Sequence, residues 1–272
     1  MATTQQFIIR ITDTALAFAM RCGDGTPVAY EPYAMKRSMS VEANLREAFR
    51  TVELLKRAGN RVTALVDSPV LLVPLDEYKA EEMEQQYGFV CTQPAGTVVA
   101  NTVLPSLDSV AVYAVSKDLR TVLGDHFEEI RILPLMAHMW EFLLQRSFGG
   151  TNKKLFAYFH DNVMDVCSFS RGRFLFSNRF SVTDSHDALY YLLGVWKNIG
   201  AKAMVDDLFL LGRIPAREAL VSDAKEFLRR VYYINPSGDF NRADFTQVDN
   251  MPFDMMVAFG TDGVGRSVTA GI

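Results

Sequence analysis

The chain has few cysteines, and no spacing that would pair them. Cys22, Cys91 and Cys167 lie far apart, and no two of them form a C-x-x-C motif. Such an odd, scattered set provides neither a disulfide framework nor a zinc site, and it is typical of a reducing compartment. The polar stretch MATTQQ at residues 1–6 does not resemble a signal peptide. Together these features predict a cytoplasmic location.

Long apolar runs and blocks of like charge are also missing. No stretch approaches the roughly 20 apolar residues of a membrane span, so we expect no membrane insertion. The 272 residues carry a formal net charge of −4, and Lys and Arg form no long run. This balance argues against nucleic acid or an anionic membrane recognised by bulk charge. The fractions of hydrophobic residues (49%) and charged residues (22%) are those of a globular protein.

The common catalytic motifs are absent as well. There is no G-x-S-x-G elbow, and no pair of histidines has the spacing of a zinc hydrolase. His160 and Asp161 are adjacent, but neighbours along a strand point to opposite faces, so we do not expect a catalytic pair. Cys167 lies in an alternating strand and is predicted to pack in the core rather than to act as a nucleophile.

The sequence contains the same order of elements twice. FIIRIT turns at Asp13-Thr14 into ALAFAMR, and KLFAYFH turns at Asp161-Asn162 into VMDVCSFS. Each pattern alternates with period two and predicts a β-hairpin. A further turn, GDGT at residues 23–26 in the first half and Arg171-Gly172 in the second, leads to a third strand in each half.

A helix and a buried strand follow each set of three strands. Apolar residues from Val41 to Leu55 fall on one helical face, and Gly59 ends that helix. A second helix starts at Asp184 or Ser185 and stops at Gly200. The apolar runs VTALV and DLFLL then read as strands covered on both faces. The repeated order predicts two related lobes, which are 161 − 13 = 148 residues apart when counted from one turn aspartate to the other.

The best linker between the lobes is FGGTNKK at residues 148–154. Its spacing does not match a Walker motif, and no helix follows it, so we interpret it as a flexible connection. The predicted lobes are residues 1–148 and 149–272. The first carries an inserted subdomain at about 69–108, whose acidic stretch DEYKAEEMEQQYG predicts a solvated helical face and a surface for a protein partner.

This arrangement resembles the actin-like ATPase superfamily, which includes actin, the sugar kinases and the Hsp70 ATPase domain. The matching segments, in chain order, are RITDTALAF, ILPLMAHMWEFLL, YFHDNVMDV, DLFLLGRIPA and MMVAFGTDG. The pattern of residues along the chain is most similar to that of the actin-like proteins of pilus assembly and type II secretion. The whole chain also resembles an uncharacterised Bacteroidetes family with this fold. The resemblance implies an α/β, two-lobed actin-like (ribonuclease H-like) fold with duplicated β-β-β-α-β-α lobes.

The resemblance also implies where a nucleotide would bind. Its phosphate loops require Asp-x-Gly-Thr or Asp-x-Gly-Gly, because glycine lets backbone N–H groups approach the phosphates. Here neither Asp13-Thr14 nor Asp161-Asn162 is followed by glycine, and bulky Val163 and Met164 follow the second turn. The adenosine-binding turn keeps one glycine, Gly212. The candidate nucleotide-binding residues are Asp13, Thr14, Asp161, Asn162 and Gly212.

Three functions therefore stay open. The first is a non-catalytic protein-interaction or scaffold module that takes no cofactor. The second is a divergent ATPase or small-molecule kinase that binds ATP and magnesium in the inter-lobe cleft. The third is a homodimeric structural protein that pairs through the inserted subdomain. The missing glycines favour the first of these.

Overall fold

The computed structural model describes residues 5–23, 26–59, 61–260 and 270–271. Part of the GDGT turn predicted at 23–26 lies outside these residues. The chain divides into two compact units, of which the first comprises Met1–His138 and Gln247–Ile272 and the second Met139–Thr246. The lobe ranges 1–148 and 149–272 stay a prediction, and the two units are described separately below.

The strands alternate with helices along the chain. The strands are β1 (Gln5–Ile11), β2 (Leu16–Cys22), β3 (Ala29–Tyr33), β4 (Arg61–Val66), β5 (Val70–Pro74), β6 (Thr97–Leu104), β7 (Ser109–Ser116), β8 (Glu129–Pro134), β9 (Lys153–His160), β10 (Val163–Ser170), β11 (Arg173–Ser181), β12 (Asp207–Gly212), β13 (Val231–Tyr233) and β14 (Ala270–Gly271). The α-helices are α1 (Val41–Thr51), α2 (Glu53–Lys56), α3 (Met83–Val90), α4 (Lys117–Gly124), α5 (Ala137–Ser147), α6 (Ser185–Asn198), α7 (Arg217–Phe227), α8 (Pro236–Asp239) and α9 (Phe253–Gly260).

The main sheet of the first unit has the order β3-β2-β1-β4-β8. The first three strands run antiparallel, while β4 runs parallel to both β1 and β8. Alternate residues of β1, namely Phe7, Ile9 and Ile11, pack in one core cluster with Leu45 and Ala48 of α1. The period-two alternation of β1 and the helical stripe of α1 therefore meet in one apolar layer.

The helix predicted from Val41 to Gly59 is interrupted at Val52. This residue is extended, with φ −82° and ψ 117°, and it separates α1 from the short helix α2. The backbone N–H of Leu54, in the first turn of α2, donates to Oε2 of Glu31 on β3 at 3.1 Å. The side chain of Glu31, on a strand, thus accepts a backbone N–H at this break in the helix. The apolar periodicity of the sequence does not predict the break.

A second sheet of the first unit has the order β14-β6-β7-β5. Tyr87 of α3 packs against it in a core cluster of its own with Val73, Val110 and Val112. Ala270 and Gly271 of β14 pair with Thr102 and Asn101 on the edge strand β6. This second sheet is formed largely by the chain that separates β4 from β8.

The sheet of the second unit has the order β11-β10-β9-β12-β13. Its first three strands are again antiparallel, and β12 is again parallel to the first strand of the hairpin. Leu155, Ala157 and Phe159 of β9 face the core cluster that includes Ala188 and Leu192 of α6. The same order of strands in both units confirms the predicted duplication and the actin-like fold class.

One of the two residues predicted to start α6 is its N-cap. The carboxylate of Asp184 accepts from the backbone N–H groups of His186 and Asp187, so the cap is Asp184 rather than Ser185. Gly200 has φ +61° just after α6, which agrees with the predicted stop. The predicted linker at 148–154 ends earlier than expected, because Lys153 and Lys154 already belong to β9.

Candidate functional site

The first hairpin turn closes on itself. Buried Thr12 donates its backbone N–H to the carbonyl of Ala15 at 3.0 Å, and its Oγ1 accepts from the N–H of Ala15 at 3.0 Å. Asp13 and Thr14 lie between them and are exposed. Thr12 therefore provides the main polar contacts of this turn, and sequence reasoning did not single it out.

The second hairpin turn has only two residues between its strands. His160 pairs with Val163, and the intervening Asp161 and Asn162 have φ +43° and +62°. Two positive φ angles are typical of the tight hairpin turns that Asp, Asn and Gly tolerate best. The side chain of Met164 is fully buried in the core of the second unit, where it packs with Phe159.

The expectation that His160 and Asp161 point apart is wrong. Nδ1 of His160 lies 3.3 Å from Oδ2 of Asp161, because Asp161 belongs to the turn and does not continue the strand alternation. Nε2 of the same ring lies 2.7 Å from Oδ2 of Asp165 on β10. The imidazole is therefore held between two carboxylates.

Arg179 of β11 completes this polar network. Its Nε donates to Oδ1 of Asp165 at 3.0 Å and its Nη2 to Oδ2 at 3.0 Å. Burial opposes ionisation of Asp165, but the charge of Arg179 and the hydrogen bonds from His160 and Arg179 outweigh it and lower its pKa to about 2. The network spans β9, β10 and β11 and has the properties of a structural ion pair.

Gly212 is required by strand packing. It has φ +87°, and a Cβ on this residue would lie 2.3 Å from the carbonyl oxygen of Phe159 and 2.7 Å from the ring of Tyr158. The next residue, Arg213, donates its N–H to the same Phe159 carbonyl at 2.9 Å. The single glycine kept from the adenosine-binding pattern thus allows β12 to approach β9 closely.

The predicted site residues fall into two groups. Asp13 and Thr14 belong to the first unit, while Asp161, Asn162 and Gly212 belong to the second. Within the second unit, Gly212 pairs with Phe159 two residues before Asp161, so these three residues occupy the same end of the sheet. Their role in nucleotide binding stays a prediction.

Cys167 packs as predicted. Its side chain is fully buried in β10, and burial raises the pKa of its thiol. A thiol with a raised pKa and no exposure is a poor nucleophile.

The first unit contains a pocket of ≈ 200 Å³, which we call the first-unit pocket. Asp13 lines it, together with residues from the chain after β4, from β7 and from the first turns of α1 and α4. Ile11, Val66, Tyr87 and Leu119 contribute apolar wall. The pocket therefore places Asp13, a predicted site residue, beside elements that the sequence did not predict to lie near it.

Glu42 and Ser116 meet in this pocket although 74 residues separate them. Ser116 donates its Oγ hydrogen to Oε1 of Glu42 at 2.7 Å, and the same Oγ accepts from the N–H of Leu119 as the N-cap of α4. Burial opposes ionisation of Glu42, but hydrogen bonds, that of Ser116 first, and the charge of Arg46 hold its pKa below its usual range. Glu42 is thus an ionised group at neutral pH.

Tyr87 is fixed beside these residues. It is fully buried, and its hydroxyl donates to the carbonyl of Pro69 at 3.1 Å. Burial raises the pKa of the Tyr87 phenol, so this group stays neutral. The sequence offered one signal for this site, a serine immediately before each of two helices, but it could not show that Ser40 and Ser116 mark the same pocket.

The charged side chains that line the first-unit pocket are all acidic. Asp13, Glu42 and Asp67 line it, and its described lining includes no Lys, Arg or His. Small-molecule sites usually measure about 300–1,000 Å³, so this volume is modest. Within the described residues, no group of three or more His, Cys, Asp or Glu is placed to hold a metal ion, and no helix is long and apolar enough to cross a membrane.

Two sheets with the same strand order, each opening on a tight hairpin, define an actin-like ATPase fold. Comparison with solved structures agrees. A Bacteroides thetaiotaomicron VPI-5482 protein with an actin-like ATPase fold and unknown function is similar over 91% of this chain and 97% of its own, with TM-score 0.82 and 23% identity. The chain belongs to the family described as protein of unknown function (DUF3822), whose model matches residues 2–231.

A second solved structure extends the likeness in fold to a complex between proteins. The PilM–PilN type IV pilus biogenesis complex contains a chain that is similar over 94% of this chain and 96% of its own, with TM-score 0.61 and 12% identity. The comparison with curated proteins found no match.

Proposed function

We propose that this protein is a non-catalytic interaction or scaffold module built on the actin-like fold. The observation that carries the proposal is the second hairpin. Asp161 and Asn162 form a two-residue turn, and the Asp161 carboxylate contacts His160. Phosphate binding by such a loop needs glycine, which lets backbone N–H groups approach the phosphates, and this turn contains no glycine.

The third candidate position supports the same proposal. Gly212 is accounted for by the close approach of Phe159 and Tyr158 without any ligand. A fold also does not by itself imply the activity of its relatives, because function depends on the site. The PilM–PilN complex shows the fold of this chain in a protein that is bound to another protein. A protein partner is therefore part of the proposal.

The proposal includes a cytoplasmic location and no cofactor. The three cysteines Cys22, Cys91 and Cys167 are free thiols in the structure, which suits a reducing compartment. We do not assign nucleic acid as a partner, since the net charge is −4. A homodimer is tested by light scattering over a hundredfold range of concentration, where a rise in mean mass would indicate self-association.

Calorimetric titration with ATP and with ADP, each with magnesium, tests the proposal. We expect no binding heat at micromolar nucleotide and no phosphate release over hours. Micromolar binding together with turnover would overturn the proposal in favour of the divergent ATPase or kinase. In that case Asp161→Asn, which suits the same turn, should abolish turnover and leave the melting temperature nearly unchanged.

A positive test uses cross-linking of the tagged protein in its native cells followed by mass spectrometry. An interaction module should yield the same cross-linked partner in repeated experiments, with yields that excess ATP does not change. A tagged, unrelated protein expressed at the same level is the control for background. Recovery of the same partners by the control would count against the proposal.

A further inference from the structure

We propose that the outer edge of the second unit's sheet, at β13, is an interface between two copies of this chain. The two copies pair their β13 strands antiparallel about a twofold axis, and their α7 helices face each other across the same axis. The inference goes beyond the proposed function, because neither β13 nor α7 contains a candidate nucleotide residue. It follows from three features of this edge, namely its backbone groups, its tyrosines and the charges of α7.

The outer edge of β13 offers backbone groups for pairing. β13 is the last strand of its sheet, and among the residues that the structure describes it pairs with β12 alone. The N–H of Ile234 donates to the carbonyl of Leu210 at 2.9 Å, so Ile234 and Tyr232 direct their backbone groups toward β12. Val231 and Tyr233 therefore direct their N–H and carbonyl groups away from the sheet. Such groups are a template for another strand.

Two tyrosines of β13 present exposed aromatic surface beside these backbone groups. Tyr232 is 45% exposed and stacks on Phe209, with 5.1 Å between the ring centroids. Tyr233 is 39% exposed, and the guanidinium carbon of Arg217 lies 5.0 Å from the centre of its ring. These contacts hold both rings before any partner binds, so little conformational freedom is lost on binding. A strand that is added at this edge covers both rings.

Antiparallel pairing about Tyr232 matches residues that favour one another. The axis places Val231 of each copy opposite Tyr233 of the other in hydrogen-bonded pairs, and it places the two Tyr232 side chains opposite each other. Aromatic side chains pair favourably across strands with β-branched residues and with other aromatic rings. The edge therefore matches itself, which makes a second copy its best-fitting occupant.

The exposed face of α7 is self-complementary in charge. Glu218, Val221, Ser222 and Lys225 have the spacing of one helical face, and they line an open groove of ≈ 460 Å³ beside β13. Two antiparallel copies of this face place Glu218 of each copy opposite Lys225 of the other, while Val221 and Ser222 lie at the centre. Nη2 of Arg217 also contacts Glu218 at 2.6 Å, but the side chain of Glu218 is 80% exposed and can accept a second cation. Charge complementarity thus supports the same twofold arrangement as the strand.

Sedimentation equilibrium of the full chain tests the inference. We expect a reversible dimer with a dissociation constant of about 1–100 μM, because β13 has only three residues. Glu218→Lys and Lys225→Glu, each alone, should weaken the dimer at least fivefold, since each places like charges at two symmetric contacts. The two substitutions together should restore the dissociation constant to within about twofold of the wild type. Glu53→Lys, at an exposed glutamate of the first unit, is the control and should change it less than twofold.

A cysteine at the axis tests the register of the two strands. Tyr232→Cys, in a chain that also carries Cys22→Ser to remove the exposed native thiol, should form a disulfide between two copies in oxidised glutathione. Opposed residues of a non-hydrogen-bonded antiparallel pair lie within the reach of a disulfide. Tyr190→Cys in the same background, at an exposed tyrosine of α6, is the matched control and should stay largely uncross-linked.

Each other outcome overturns the inference. A chain that stays monomeric at every concentration would show that this edge pairs with a different protein or with nothing. A dimer that resists both single charge reversals, or that the double variant does not restore, would use another surface. Equal cross-linking of Tyr232→Cys and Tyr190→Cys would indicate random encounter. If Tyr232→Cys unfolds the protein, the charge reversals at exposed positions decide alone. Nucleotide titrations are independent of these results, so the proposed function stands or fails separately.

Discussion

Lys153 and Lys154 are adjacent on β9, yet their ammonium groups bind the C-terminal ends of two different helices. Nζ of Lys153 donates to two carbonyls at the end of α6, at 2.6 and 3.1 Å. Nζ of Lys154 donates to the carbonyls of Arg146 and Ser147 at the end of α5, at 3.0 and 3.2 Å. Successive side chains of a strand point to opposite faces, so two adjacent lysines can bind the ends of two helices on opposite sides of the sheet. Both ammonium groups also lie where a helix dipole favours positive charge.

Substitution of these lysines should destabilise the protein unequally. Lys154 is buried, so Lys154→Met leaves the carbonyls of Arg146 and Ser147 without their charged donor and should cost about 1–3 kcal/mol. Lys153 is less buried, and Lys153→Met should cost about 1 kcal/mol or less. Urea denaturation measures both. Lys197→Met, at an exposed lysine in the last turn of α6, is the control and should stay within about 0.5 kcal/mol of the wild type. Equal effects of all three substitutions would contradict the assignment.

A methyl group at Gly212 should be poorly tolerated. Gly212→Ala places a Cβ against the Phe159 carbonyl in a backbone with φ +87°, so we expect a loss of at least about 2 kcal/mol in the free energy of unfolding. Gly124→Ala is the matched control, since nothing lies within 4 Å of its added Cβ. That change, in the last turn of α4, should be neutral or stabilising. A tolerated Gly212→Ala would reopen a ligand-binding reason for this glycine.

The sequence predicted what depends on local pattern. Strand alternation indicated both hairpins, and the cap at Asp184 followed from the residue types that accept helix N–H groups. The duplicated order of elements could be predicted in the same way, because each strand and each helix has its own period of apolar residues in the sequence. These features need no knowledge of which distant residues will touch.

The contacts that the sequence did not predict are long-range. Glu31 contacts Leu54 at a break in a helix whose apolar stripe continues, and Ser116, at the end of β7, contacts Glu42 across 74 residues of sequence. The first-unit pocket was missed because its lining comes from segments whose proximity is a property of the fold. The contact between His160 and Asp161 is a local exception, and it forms because the turn changes the direction of the chain.

His138 should make the protein sensitive to mild acid. The ring is buried, and among the residues that the structure describes its Nδ1 has no hydrogen-bond partner. Burial, helped by the charge of Arg131, lowers its pKa to about 4. The unfolded chain takes up a proton near pH 6.5 and the folded chain does not, so stability should fall by about 3 kcal/mol as pH decreases from 6.5 to 4. His138→Leu should remove this part of the decline in urea titrations from pH 7 to 4. His186→Leu, at an exposed histidine, should leave it unchanged.

Removal of Arg179 from its pair with Asp165 should destabilise the protein more at neutral pH than in mild acid. Above pH 4 the buried Asp165 is ionised, and its pKa of about 2 means that the pair contributes stability that is lost as pH falls from about 4 to 2. Arg179→Met leaves this carboxylate without its cation and should cost about 3 kcal/mol at pH 7. The deficit should shrink toward pH 4, because the unpaired Asp165 then takes up a proton. Arg173→Met, an exposed arginine of β11, is the control. A deficit that does not change with pH would argue for lost packing instead.

The turn at Asp161-Asn162 offers a test that separates folding from ligand binding. Asn162 has φ +62°, a conformation that glycine adopts freely and β-branched residues strongly resist. Asn162→Gly should therefore stay within about 0.5 kcal/mol of the wild type, and Asn162→Val should cost about 1–2 kcal/mol in urea denaturation. Asn162→Gly also places a glycine directly after Asp161, one residue before the glycine of the Asp-x-Gly pattern. We expect this variant to bind ATP with magnesium no better than the wild type in calorimetry, because the two-residue turn and the His160 contact remain. Binding gained through this single glycine would show that the hairpin still has the geometry of a phosphate loop.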